Sequence, residues 1–263
     1  MKANKMASWW DRFLDHIFSD PGSCLACGEK PLFRYGFCAD CVQRMDFIRW
    51  HGQLEPDPDG GRDFPAYALA FYNNFLREIY ARYKFEGRSY YRNSFAEMMI
   101  DFIGETEELA SCSWISYIPM TPYKEFLRGY NPIKEIAATI ATRRDMALVH
   151  TLEKSRVTKE QNKLGLIQRE SNVRGSFRPA LKEGRLELVY PDRQAEKIKR
   201  IPPESLSSQR GILLDDFITS GNTMKEAAGV LDKLGLSPLC LSLALASYPQ
   251  DIRSDQALSP SSG

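Results

Sequence analysis

The chain has 263 residues, 43% of them hydrophobic and 26% charged, and its net charge at pH 7 is +1. Such a chain can form one substantial core and a small accessory module, which excludes a disordered or fibrous protein. The net charge gives no support for a polyanionic partner, but residues 151–210 hold 14 Lys and Arg against 8 Asp and Glu. Residues 211–263 hold 3 Lys and Arg against 6 Asp and Glu. A basic segment beside an acidic one suits an anionic ligand, although a solvated surface would look the same.

The N-terminal segment, residues 1–18, predicts a short amphipathic helix. Its large apolar residues recur at roughly helical spacing: Trp9, Trp10, Phe13, Leu14 and Ile17. We expect this helix to dock onto the protein's own core, with association with a membrane surface as the alternative. Because the chain has no run of about 18 apolar residues and no signal-peptide pattern, we predict a cytoplasmic protein without a membrane span.

Four of the six cysteines, Cys24, Cys27, Cys38 and Cys41, form the pattern C-x2-C-x10-C-x2-C. Each pair bends around two residues so that both sulfurs face one point, and two such pairs make a tetrahedral site that suits Zn²⁺. With four thiolates and no open position, the zinc would be structural rather than catalytic. The other two, Cys112 and Cys240, lie in or beside apolar runs and are expected to be buried core thiols.

Composition predicts three divisions of the chain. Residues 53–63 are rich in Pro, Asp and Gly, which is typical of a linker. This linker would separate a module of residues 1–62, with the N-terminal helix and the cysteines, from a main domain of residues 63–250. Residues 251–263 contain few apolar side chains, and we expect them to form a disordered tail.

Strand-like and helix-like stretches alternate through the main domain. The predicted strands lie at 67–72, 113–119, 146–152, 187–190, 211–217 and 238–247, and the predicted helices at 76–87, 89–109, 131–143 and 222–235. Asn131 and Pro132 provide a cap and a first-turn proline for the third helix, and Gly235 ends the fourth. The alternation predicts an α/β fold with a mostly parallel sheet covered by helices on both faces. Ligands of such sheets bind outside the carboxyl ends of the strands.

One stretch, GILLDDFITSGNT at residues 211–223, ends a buried strand in two adjacent carboxylates, Asp215 and Asp216. The helix predicted behind them offers free N–H groups and the positive end of its dipole. The turn adds hydroxyl groups and close backbone approach through Thr219, Ser220, Gly221, Asn222 and Thr223. Together these groups form a cradle for one phosphate, while the carboxylates can accept hydrogen bonds from a vicinal diol. The stretch predicts a sugar phosphate ligand. The alternative is a strand–turn–helix segment that carries these polar residues but binds no ligand.

This stretch resembles the phosphoribosyl-pyrophosphate (PRPP) signature of type I phosphoribosyltransferases, in which four apolar and two acidic residues precede Thr-Thr/Ser-Gly-x-Thr. Residues 117–137 resemble the segment vP-x-R-GfNQ-x-ELA of the ComF family, phosphoribosyltransferase-like proteins linked to DNA uptake in competence. Residues 156–177 resemble that family's R-x-T-x-x-Q pattern, and the cysteine module and YKFEGR at 83–88 also fit. The resemblance covers residues 15–247 and implies a type I phosphoribosyltransferase-like parallel sheet with a small N-terminal zinc module.

The resemblance implies roles for individual residues. Asp215 and Asp216 would hold the ribose hydroxyls, and residues 219–223 the 5′-phosphate. The loop at 119–130 would face the pyrophosphate with Lys124, Arg128 and Gly129, and Lys84 could reach the same anion. Residues 156–172 correspond to the flexible loop that covers the site, with Arg156, Thr158, Gln161, Arg169 and Asn172.

The resemblance also implies a reaction, in which PRPP loses pyrophosphate from C1 and phosphoribosyl passes to a base or amine, with Mg²⁺ bridging the pyrophosphate and the ribose hydroxyls. Three departures leave turnover and the acceptor open. Thr219 stands where purine-salvage relatives have a carboxylate base, Pro132 replaces the usual Gln, and residues 181–210 form a charged insertion. The alternative is a non-catalytic factor that handles single-stranded DNA with the competence machinery and is regulated by PRPP or a nucleotide.

Overall fold

The computed structural model describes residues 22–55, 62–88, 90–154, 175–191 and 196–246. The predicted N-terminal helix, most of the predicted linker, the loop at 156–172 and the tail lie outside these residues. Within them, no helix has the length and apolar character needed to cross a bilayer.

Ten strands and seven helices lie in the described ranges. The strands are β1 Phe47–Leu54, β2 Phe64–Phe71, β3 Trp114–Tyr117, β4 Ala147–His150, β5 Leu152–Lys154, β6 Phe177–Pro179, β7 Leu186–Pro191, β8 Glu196–Ile201, β9 Gly211–Ile218 and β10 Pro238–Leu245. The helices are α1 Ala39–Gln43, α2 Asn74–Phe85, α3 Tyr91–Glu105, α4 Glu107–Ala110, α5 Pro122–Arg128, α6 Pro132–Arg144 and α7 Asn222–Asp232. A short 3₁₀ turn, Pro203–Leu206, precedes β9.

Eight strands form one sheet in the order β1-β2-β10-β9-β3-β4-β7-β8, and β5 and β6 pair separately. The pairings from β2 through β10, β9 and β3 to β4 are all parallel. Antiparallel strands extend both edges, namely β1 on one side and the β7–β8 hairpin on the other. This hairpin contains most of the charged insertion. The predicted mostly parallel sheet is confirmed.

Helices cover both faces of the sheet because residues of a strand alternate between them. Ile212 and Leu214 of β9 pack into a buried cluster with residues of α2, α3 and α6. Leu213, between them in sequence, packs into a second cluster with Met224 and Leu231 of α7. β10 is buried at all eight positions, as expected of a strand covered on both sides. The predicted α/β fold class is therefore confirmed.

Residues 119–130, which were expected to form a loop, contain helix α5. The side chain of Thr121 caps it by accepting a hydrogen bond from the N–H of Lys124 at 3.4 Å, and Pro122 takes its first position. Gly129 ends it in the left-handed conformation, with φ of 82°. Since α5 buries none of its residues, no periodic apolar face marks it in the sequence.

The cysteine module packs directly against the main sheet and its helices. Phe37, Cys38 and Met45 belong to the same buried cluster as residues of α2 and α3. The domain boundary predicted at residue 62 falls between β1 and β2, which pair with each other in the large sheet. The division into domains stays a prediction.

Candidate functional site

Four cysteine sulfurs meet in the N-terminal module, as predicted. The Sγ atoms of Cys24, Cys27, Cys38 and Cys41 all lie within 4.8 Å of one another, and those of Cys27 and Cys38 are 3.9 Å apart. Tetrahedral zinc with bonds of about 2.3 Å separates its sulfur ligands by about 3.8 Å. The cluster could therefore hold a metal such as zinc.

The pKa values of two of these thiols also favour binding of a cation. Burial alone would raise the pKa of Cys24, but hydrogen bonds from the backbone N–H groups of Cys27 and Cys38 lower it to about 6. Burial and hydrogen bonds to the neighbouring thiols raise the pKa of Cys41. A thiolate at Cys24 thus favours a proton on Cys41, and a bound cation would favour the ionised form of the cluster.

Polar contacts tie the cysteine module to the helices behind the sheet. Arg82 of α2 donates a hydrogen bond to the carbonyl of Ala26 at 3.1 Å, and the Tyr91 hydroxyl donates to the carbonyl of Leu25 at 2.7 Å. Both carbonyls lie in or beside the first cysteine pair. Because α2 also carries residues of the cleft described next, the module supports one wall of that cleft.

A cleft of about 1270 Å³ lies at the carboxyl ends of β9 and β3. Such an edge of a parallel sheet is where α/β folds bind ligands. Six of the predicted site residues line it, namely Lys84, Lys124, Arg128, Asp215, Asp216 and Thr223. The cleft therefore brings together residues 139 positions apart in sequence, from Lys84 to Thr223.

The two aspartates lie within β9, which continues to Ile218. Asp215 Oδ1 accepts the N–H of Asp216 at 2.8 Å, and Asp216 Oδ1 accepts the N–H of Phe217 at 2.9 Å. Burial, and then the charge of Asp216, raises the pKa of Asp215 well above its ordinary value. The pair thus holds a proton or needs hydroxyl donors or cations close by.

Lys84 of α2 neutralises one of these carboxylates. Its Nζ donates to Asp216 Oδ2 at 2.7 Å, and both side chains are half-buried. Tyr80, one helical turn earlier, lines the same cleft and lies 5.5 Å from this ammonium, measured to the ring centroid. Burial and the charge of Asp216 raise the pKa of Tyr80. Lys84 was predicted to face pyrophosphate; in the structure it pairs with Asp216.

The turn behind β9 leads into α7 as predicted. Gly221 precedes the helix with φ of 79°, a conformation that glycine adopts without strain, and no side chain in the described residues caps the helix. Thr223 faces the cleft, whereas Thr219 and Ser220 are exposed beside it and, with Gly221 and Asn222, do not line it. The uncapped N–H groups leave this helix start open to an anion.

Helix α5 brings two cations to the cleft. Lys124 lines it, and the Arg128 guanidinium lies 5.0 Å from the Phe85 ring centroid. Arg128 Nη1 is buried and has no hydrogen-bond partner among the described residues. A buried donor without a partner is costly, which favours an acceptor supplied by a ligand. Gly129 only ends the helix.

Several cleft residues were not predicted. Tyr80 could have been found, since it lies four positions before Lys84 on one helix face. Lys154 ends β5 and Phe177 begins β6, and only the folded hairpin brings them to the cleft. Arg156, Gln161 and Arg169 lie outside the described residues, so their placement stays a prediction.

Solved structures with a partial similarity include adenine phosphoribosyltransferases. The enzyme from Thermoanaerobacter pseudethanolicus is 16% identical, with 78% of this chain and 87% of that chain covered and a TM-score of 0.31. The enzyme from Saccharomyces cerevisiae is 14% identical, with 80% and 90% covered and a TM-score of 0.31. Scores this low do not allow site residues to be carried over from those enzymes.

Among curated proteins, Competence protein F of Haemophilus influenzae is similar to this chain. The two are 21% identical over 224 residues, which cover 83% of this chain and 87% of that protein. No protein-family model matches the chain. The resemblance predicted from the motifs is thereby confirmed: the chain is a homologue of Competence protein F, and it combines an α/β fold with a four-cysteine cluster.

Proposed function

We propose that the cleft binds PRPP and that the protein transfers its phosphoribosyl group to a base or amine. One observation carries the proposal: a carboxylate pair and an uncapped helix start lie in succession at the edge of one cleft that also holds Lys124 and Arg128. Carboxylates match a sugar diol, a helix N-terminus matches a 5′-phosphate, and ammonium and guanidinium groups match a diphosphate.

The transfer depends more on stabilising the negative charge of the leaving diphosphate than on a catalytic base within residues 211–223. The bond from C1 to the diphosphate oxygen breaks with its electron pair leaving on the diphosphate, and the acceptor nitrogen bonds to C1 and releases its proton to solvent. Lys124 and Arg128 would face the charge that grows on the leaving group. Mg²⁺ would enter with PRPP and add positive charge between the diphosphate and the ribose hydroxyls. Thr219, exposed beside the cleft, offers no carboxylate to take the proton.

We propose further that the cysteine cluster holds one structural Zn²⁺. Its four sulfurs leave no position for a substrate, and the module contacts α2, which carries residues of the cleft. Zinc would then keep α2, with Tyr80 and Lys84, in place beside Asp216.

The test of PRPP binding is calorimetric titration with PRPP and Mg²⁺. We expect micromolar binding by the protein and none by an Asp215→Ala/Asp216→Ala variant. Asp232→Ala, which removes an exposed carboxylate paired with Arg62 at the far end of α7, is the matched control and should bind normally. Equal binding by both variants, or no binding to wild-type protein that holds one zinc, would contradict the proposal.

Handling of single-stranded DNA is a second candidate, and exposed aromatic side chains on α5 favour it. Tyr123 is 71% exposed and Phe126 83% exposed, with Lys124 between them. Aromatic rings beside cations are typical of surfaces on which bases stack. Salt-dependent oligonucleotide binding that Phe126→Ala weakens would support this function. Pyrophosphate release from PRPP in the presence of candidate acceptors would support the first.

A further inference from the structure

Lys154 is a cleft residue to which neither the motifs nor the family resemblance assigns a role. It is the last residue of β5, directly opposite Phe177 in the β5–β6 pairing. Its ammonium lies 5.2 Å from the centroid of the Phe177 ring, and both residues line the cleft. The side chain is half-buried, so its charge has lost part of its water.

The Phe177 ring, over which the Lys154 ammonium lies, is held in place by a contact with helix α7. Phe177 is buried, and the N–H of the preceding residue, Ser176, donates to Glu226 Oε1 of α7 at 2.7 Å. This bond ties the start of β6 to the helix whose N-terminus borders the cleft. The Lys154 ammonium therefore lies over a buried ring in the cleft lining, and a hydrogen bond to α7 holds the start of the strand that carries this ring.

Among the described residues, no carboxylate forms a salt bridge with Lys154, whereas Lys84 has Asp216 at 2.7 Å. Burial lowers the pKa of Lys154; the charge of Asp215, and to a smaller extent those of Glu226 and Asp216, oppose this shift, and the charge of Lys124 adds to it. Lys154 and Lys124 thus both bring an ammonium group to the lining of one cleft, where an anion can accept hydrogen bonds from both.

We propose that Lys154 and Lys124 bracket the diphosphate of PRPP, while Lys84 holds Asp216 for the sugar. This inference rests on the proposed function and adds a residue to it. When the bond from C1 to the diphosphate breaks, the electron pair moves onto an oxygen that faces these two ammonium groups. Lys154 then stabilises the leaving group and contributes little to binding of the ribose 5-phosphate part.

The test compares three ligands with a charge-deleting variant. Lys154→Met keeps an apolar stem on Phe177 and removes the charge. Titration with inorganic pyrophosphate and with PRPP, each with Mg²⁺, should show binding weakened by roughly 10–100-fold, as for loss of a charge-assisted hydrogen bond. Binding of ribose 5-phosphate should stay within about twofold. Lys154→Arg should restore most of the pyrophosphate affinity, and Lys199→Ala, which removes an exposed lysine of β8 outside the cleft, should behave as wild type.

The outcomes separate this inference from the proposed function. Wild-type binding of PRPP with unchanged pyrophosphate affinity in Lys154→Met, at unchanged melting temperature, would overturn the role of Lys154 alone. Equal losses for pyrophosphate and ribose 5-phosphate would also overturn it, because they indicate a general distortion. Wild-type protein that binds pyrophosphate but not PRPP would contradict the proposed function and leave the lysine pair as an anion site. No binding of any of the three ligands would overturn both.

Discussion

The cysteine cluster and the aspartate pair are both crowded groups of like ligands, yet they differ in their surroundings. The four sulfurs face one another inside their own module, three of them buried. The aspartates lie at the edge of an open cleft, and only Asp216 has a cation beside it in the described residues. The first arrangement suits a permanent ion, and the second suits a ligand that arrives and leaves.

Each cluster also has an electrostatic cost that its ligand would remove. Burial and the neighbouring thiols raise the pKa of Cys41, and burial followed by the charge of Asp216 raises the pKa of Asp215, so a further negative charge is unfavourable in each cluster. If this comparison is right, breaking the cysteine cluster should cost stability, whereas neutralising Asp215 should increase stability and cost ligand binding.

The largest effect is expected from Cys41→Ser. Loss of one of four ligands should remove the metal and lower the free energy of unfolding by more than about 4 kcal/mol, because the module shares a core with α2 and α3. Metal analysis and thermal unfolding measure this. Cys112→Ala, which removes a buried thiol outside the cluster, should keep one metal ion per chain. Retention of stoichiometric metal by Cys41→Ser would contradict the closed four-sulfur site.

A smaller effect is expected from Gly221→Ala at the start of α7. Its φ of 79° is strained for alanine, and the added Cβ would lie 2.9 Å from Leu54 Cδ2, so the free energy of unfolding should fall by about 1–2 kcal/mol. Binding of ribose 5-phosphate should weaken more than tenfold if the helix start holds the phosphate.

The matched control is Gly235→Ala, which has φ of 75° and no neighbour within 4 Å of the added Cβ. It should show the backbone strain alone and leave ligand binding unchanged. Equal ligand affinities in the two glycine variants would show that α7 does not hold the phosphate.

The sequence allowed prediction of the features whose parts lie close together in the chain. The cysteine spacing, the two aspartates in β9, the helix start at Asn222 and the cap at Asn131 all depend on neighbouring residues, and the structure contains each of them. The edge strands β1 and β8, the short strands β5 and β6, and helix α5, which buries none of its residues, carry no clear periodicity, so they were not predicted.

Long-range contacts account for the site features that sequence reasoning missed. The ion pair between Lys84 and Asp216 joins residues 132 positions apart, and the approach of Lys154 to the cleft depends on a hairpin whose two strands are separated by 22 residues. The resemblance implied that Lys84 could reach the pyrophosphate, which stays a prediction, whereas its pairing with Asp216 follows only from the tertiary fold.

The smallest effect on stability is expected from Asp215→Asn, and unlike the other substitutions this one should stabilise the protein. Burial and the charge of Asp216 raise the folded-state pKa of Asp215, so its contribution to stability is fully present below the unfolded-state pKa and is lost as pH rises through the folded value. Asparagine avoids this loss. At neutral pH the variant should therefore be more stable by about 1 kcal/mol, or ~2–4 °C in melting temperature, and should not bind the sugar diol.

Melting temperatures measured from pH 4 to pH 8 distinguish this cause from a general packing change. The advantage of Asp215→Asn should shrink towards pH 4, where Asp215 in the wild type is increasingly protonated in both states. Asp216→Asn should instead lower the melting temperature, because it leaves the half-buried Lys84 without its carboxylate. If both variants shifted the melting temperature in the same direction at every pH, the two carboxylates would be equivalent. The conclusion that Lys84 stabilises Asp216 and not Asp215 would then be wrong.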